Sequence, residues 1–99
     1  MTALPTIHLN ALPTIHLNGT GADTLEREYR AVRDAVDAAA LALLKATCNQ
    51  RDFYLQGPGA WQQARAERAE AFRLLGQLVD YAAQWQEHAA KARREREAL

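Results

Sequence analysis

The side chains able to do chemistry are few and scattered. The histidines are His8, His16 and His88, and the single thiol is Cys48. A metal site needs several His, Cys or carboxylate ligands converging on one point. His8 and His16 are the same residue in two copies of one segment, with no acid or thiol at ligand spacing nearby, and His88 follows Glu87 on what reads as a solvated helix surface. Cys48 lacks the adjacent base that would activate a thiolate and reads as a small apolar residue near a helix end. Gln56-Gly57-Pro58-Gly59 has no following Lys-Ser/Thr to complete a phosphate loop, and Pro58 removes an amide donor. Arg51-Asp52 reads as a loop ion pair, worth little if exposed. These residues call for no metal and no cofactor, and an enzyme is the last-ranked reading.

Lys91, Arg93, Arg94 and Arg96 form the one basic cluster, diluted by Glu95 and Glu97. Cations at a helix C-terminus are accounted for by the helix dipole. A grip on nucleic acid requires several uncompensated positive charges. A solvated helix end is therefore the first reading of this cluster, and a small DNA-contacting regulator the alternative.

The elements that must position these residues are helical. Ala, Leu, Arg, Glu and Gln dominate residues 23–99, a helix-forming composition. Twelve basic and twelve acidic residues cancel, so no overall field steers the chain toward nucleic acid or anionic lipid. The longest apolar run, Ala38 to Leu44, has seven residues, far short of the roughly 20 of a membrane span. No basic flank or signal-type apolar block opens the chain. A lone cysteine excludes an internal disulfide and suits a reducing compartment. The expectation is a cytoplasmic protein away from membranes.

The N-terminus carries one octapeptide twice, Ala3–Asn10 and Ala11–Asn18, identical at every position. Residues 1–22 read as an arm. Pro5 and Pro13 oppose helix, Thr-Ile-His-Leu alternates at a strand's period, and Asn18-Gly19 is turn material. The arm either docks along the helices, pairs with another chain, or hangs as an unattached tail. The second copy keeps its spacing to the first helix, so it is expected to occupy the arm's position and to leave residues 1–10 displaced. The duplication itself could be natural, a cloning event or designed.

The first helix is expected over about 23–48. Asp23 at the cap and Glu26 three residues on suggest a capping box, and Leu25, Tyr29, Val32, Val36, Ala39, Leu43 and Ala46 form a seam of alternating fours and threes. Asn49 suits a left-handed cap. The short link 49–57 turns the chain back, with Phe53, Tyr54 and Leu55 expected to plug the hairpin end. Pro58 opens a second helix over about 58–96, whose seam reads Trp61, Ala64, Arg68, Ala71, Leu75, Leu78, Ala82, Trp85, Ala89 and Ala92. Arg68 either snorkels out of that seam or pairs across it. Folding about the link brings Gly76 near Ala31, unless Gly76 is simply exposed.

Two helices do not hide the apolar surface this pattern creates. The second helix outruns the first, leaving Trp85 uncovered unless the arm or another subunit packs on it. Residues 38–44 avoid water on every face. A leucine left in water forgoes about 1.5–3 kcal/mol, against about 5–15 kcal/mol of total stability for a domain. The predicted fold is all-α: an antiparallel two-helix hairpin with an extended N-terminal arm, associating as a homodimer into a four-helix bundle. The residues expected to carry association are Leu41, Leu44, Leu74, Tyr81 and Trp85. A monomer whose arm covers the second face is the alternative.

The motif Leu12-Pro-Thr-Ile-His-Leu-Asn-Gly-Thr20, a helix, then Arg51-Asp-Phe-Tyr-Leu-Gln-Gly57 before a second helix resembles small uncharacterised proteins encoded in phages and prophages of proteobacteria. The resemblance covers nearly the whole chain from Ala11. Such proteins carry one copy of the N-terminal motif, so the duplication is a departure from the pattern. The resemblance implies a phage setting and no particular activity.

Overall fold

A computed structural model describes residues 8–99 of the chain. The structure is an antiparallel hairpin of two long helices, α1 (Ala22–Lys45) and α2 (Ala60–Glu97), joined through a 3-10 segment at Gln50–Gln56. No strand occurs among the described residues. The molecule is a rod of 65 × 24 × 22 Å. Its long dimension follows from α2, whose 38 residues rise about 1.5 Å each.

Both ends of α1 differ from the expectation. The cap is Gly21, whose carbonyl accepts the Leu25 N–H at 3.1 Å, and no side chain caps the helix. Asp23 therefore lies inside the first turn, where its charge still suits the dipole, and it faces Arg96 at 3.7 Å. The capping-box reading is corrected accordingly. At the other end, Ala46 is already extended, and its N–H donates back to the Ala42 and Leu43 carbonyls. Helix therefore stops at Lys45, and no non-glycine residue adopts positive φ among the described residues, so Asn49 is not a left-handed cap.

The group that ends α1 comes from α2. Arg68 donates to the carbonyls of Leu43 at 2.6 Å and Leu44 at 3.2 Å. The last carbonyls of a helix have no partner within it, and a guanidinium there also meets the negative end of the dipole. Of the two roles open to Arg68, it takes the cross-helix one, bonding backbone instead of a carboxylate.

This contact also sets the register. Arg68 lies opposite Leu43 and Leu44, Gln86 opposite Arg33, and Arg93 opposite Glu26. Gly76 falls between Arg68 and Gln86, opposite the 33–43 stretch, and Ala31 is exposed. The expected Gly76–Ala31 approach is not made. Trp85 is likewise not stranded beyond α1: it stacks on Tyr29, with ring centroids 4.7 Å apart and planes 12° apart. The overhang of α2 is at its other end, where Phe53 of the 3-10 segment packs on Trp61 at 5.7 Å. Phe53 alone plugs the hairpin end; Tyr54 and Leu55 face solvent.

Pro58 does not open α2. It stands in a turn between Gly57 (φ 91°) and Gly59 (φ 89°), and Gly59 caps the helix that starts at Ala60. Both glycines hold left-handed φ that side-chain-bearing residues avoid. The extended residues after α1, the 3-10 segment and this turn together consume the length that shifts the register.

The core is thin. The buried apolar residues are Ala22, Val36, Ala82, Ala89 and Ala90, so Val36 is the one buried side chain larger than a methyl among the described residues. On the expected seams, Ala39, Ala46 and Leu78 are exposed. Ala40 is half-buried where Ala39 is exposed, as expected when a straight helix drifts relative to a strict heptad. Of the arm, Leu9, Leu12, Pro13 and Ile15 are half-buried. The expectation for residues 1–7 lies outside the described residues.

Candidate interaction surface

Two flanks run along the hairpin, one on each side of the plane through both helix axes. One carries the polar cross-links. On it, Arg93 Nε donates to Glu26 at 2.8 Å, Arg33 donates to Gln86 at 2.8 Å, and Arg68 reaches the α1 carbonyls. Leu41 and Leu44 follow Arg33 and Asp37 at helical spacing and so continue this flank toward the loop. They are 58 % and 66 % exposed.

The other flank is aromatic and apolar. Leu74, Leu78, Tyr81 and Trp85 succeed one another at spacings of four, three and four, one continuous stripe of α2. Tyr29 closes over its terminal half, stacked on Trp85 and 6.3 Å from the Tyr81 ring. Such ring contacts add about 0.5–1.5 kcal/mol beyond area burial. Burial, then the neighbouring Tyr81, pushes the Tyr29 phenol above its ordinary value. One turn further, His88 Nε2 lies 2.6 Å from the Pro13 carbonyl. A carbonyl only accepts, so this nitrogen donates. His88, expected on a solvated face, is half-buried and anchors the arm. The loop half of the stripe has no such cover: Leu74 is 52 % and Leu78 43 % exposed.

The five residues expected to mediate association are therefore not one patch. Leu41 and Leu44 sit on the polar-linked flank, Leu74 on the aromatic flank, and Tyr81 and Trp85 are partly used within the chain. Leu78, on the expected seam, is exposed and continues the stripe of Leu74, Tyr81 and Trp85.

The basic cluster is mostly paired. Arg93 meets Glu26 and Glu97, Arg94 meets Glu87 at 2.8 Å, and Arg96 faces Asp23. Lys91 alone of the four has no ion pair among the described residues. The Arg93 hydrogen bond, more than its charge alone, holds the Glu26 carboxyl below its ordinary value. On α2 the hydrogen bond between Arg73 and Glu70 likewise holds the Glu70 carboxyl below its ordinary value and raises the Arg73 guanidinium. Cys48 is a free, half-buried thiol. No group of three or more metal-ligating side chains occurs among the described residues, and no helix there is long and apolar enough to cross a membrane.

No family model matches the sequence, no curated protein matches it, and no solved structure matches the fold.

Proposed function

We propose that the protein is a non-enzymatic interaction module that acts in the cytoplasm by pairing with a second copy of itself, two hairpins forming a four-helix bundle. The phage setting implied by the motif resemblance is the proposed context. The observation that carries the reading is the exposed Leu74–Leu78 stripe, continuous with the half-buried Tyr81 and Trp85. A standard interface covers about 800 Å² on each partner. A two-fold bundle mates one flank with its own copy, and the apolar stripe suits this better than the flank occupied by Arg30, Arg33, Asp34 and Asp37.

Sedimentation equilibrium tests the proposal. The wild-type chain is expected at about twice its 11.0 kDa mass at micromolar concentration. Leu74→Glu with Leu78→Glu should return it to the single-chain mass, while Leu41→Glu with Leu44→Glu should not. A wild-type chain that remains single at all concentrations contradicts the proposal, and loss of pairing through Leu41 and Leu44 moves the interface to the other flank.

A further inference from the structure

We infer that the groove holding the arm is a binding site for an extended Leu-Pro-Thr-Ile-His peptide, and that the first octapeptide, Ala3–Asn10, exchanges with the second, Ala11–Asn18, in that site of the same chain. The inference is independent of self-association.

The groove is built from both helices at the terminal end of the rod. His88 of α2 donates to the Pro13 carbonyl, and Leu12, Pro13 and Ile15 are half-buried. Ile15 and His16 then run past Ala22, Ala92, Glu95 and Arg96, around an open cavity of about 440 Å³. Recognition thus uses a backbone carbonyl, a proline with fixed φ and two aliphatic side chains. The first copy supplies each of them: Leu4, Pro5 and Ile7 repeat the order and spacing of Leu12, Pro13 and Ile15. One groove is thus offered two segments of identical sequence.

The two occupancies differ in the connection to α1. With the first copy seated, the chain between site and helix lengthens by eight residues. Loop closure depends on length only logarithmically, so the longer connection disfavours this arrangement weakly. The helix start does not resist the exchange either. Its cap is the local Gly21 carbonyl bond to Leu25, which no part of the octapeptide supplies. The arm can therefore shift register without unwinding α1, at the cost of no more than the turn bond from the Gly19 N–H to the His16 carbonyl at 3.1 Å, and the displaced copy leaves as a loop.

Thermal unfolding of three full-length variants tests the exchange. Leu12→Asp with Ile15→Asp disables the second copy, Leu4→Asp with Ile7→Asp the first, and the fourfold variant both. Exchange predicts that either pair alone lowers Tm by about 2 °C or less, and all four by about 5 °C or more. A second-copy pair that costs as much as all four overturns it. The fourfold variant should also bind the synthetic peptide Ala-Leu-Pro-Thr-Ile-His-Leu-Asn one to one by calorimetry and recover Tm, with no response to a scrambled peptide; absence of binding at millimolar peptide overturns the site. If the fourfold variant does not fold, the His88 ring resonances decide. They should keep their docked shifts in the second-copy variant, and collapse to random-coil positions overturns the exchange. Rescue that grows with protein concentration would assign the docked segment to another molecule and overturn exchange within one chain.

Discussion

The two ends of the rod are finished differently. Where the start of α1 meets the end of α2, Ala22, Ala82, Ala89 and Ala90 are buried, Tyr29 stacks on Trp85, the arm bonds to His88, and Glu26–Arg93 and Asp23–Arg96 bridge the helices. Toward the loop, no residue beyond Val36 is buried, and Leu41, Leu44, Tyr54, Leu55, Leu74 and Leu78 are all exposed. The contrast teaches how alanine-rich helices divide their surface. Small residues in the interface let the backbones approach but push bulky side chains onto the flanks. A third layer then decides whether those flanks are covered. The arm supplies it at one end; at the other, the proposed second hairpin does.

Overpacking should break this contrast most strongly. Ala82→Leu and Ala89→Leu place extra carbons where the interface has no room, and each is expected to cost about 1–3 kcal/mol in denaturant unfolding. Ala66→Leu, at an exposed position of the loop half, should stay within about 0.5 kcal/mol. Equal costs would show that both halves pack alike. Next in size, Trp85→Ala removes a half-buried ring from the closed end, and about 2 kcal/mol is expected, below the range for fully buried aromatics. Leu74→Ala, measured below the pairing concentration, should be near neutral.

The smallest effect is electrostatic. Glu26 has its carboxyl pKa lowered by Arg93 in the folded chain, so its contribution is complete above the unfolded value. It declines as pH falls through the lower folded value and the carboxyl takes up a proton. Stability should therefore fall on acidification below the ordinary carboxylate range. Glu26→Gln should flatten that part of the profile, whereas Glu70→Gln, removing an exposed pair on α2, should leave the inter-helix contacts unchanged. An unaltered acid profile in Glu26→Gln would remove the bridge from the account of the closed end.

Much of the fold is legible in the residues, because apolar spacing of three and four is the direct imprint of a helix face. The arm is read from its prolines, its period-of-two alternation and Asn18-Gly19, while the two helices and the apolar character of Leu74, Tyr81 and Trp85 on one side of α2 follow from that spacing. The register does not, since it depends on how much chain the turn consumes, and neither the extended Ala46–Asn49 stretch nor the 3-10 segment has a strong local signature. Without the register, Leu41 and Leu44 could not be assigned to the flank opposite Leu74. The arm anchor was also hidden, because its acceptor is the Pro13 backbone carbonyl, which no residue type advertises. Arg68 is the instructive case: a single charge in an apolar seam left two roles open, snorkelling out or pairing across, and its partners are backbone carbonyls in the last turn of α1, which no residue type advertises.

The most direct test is a dilution series followed by methyl NMR on the intact chain. Pairing through the open half predicts that the Leu74 and Leu78 methyls shift with concentration while those of Leu12 and Ile15, in the docked arm, stay fixed. Concentration-dependent shifts confined to Leu12 and Ile15, or none at any site up to millimolar protein, would contradict the account.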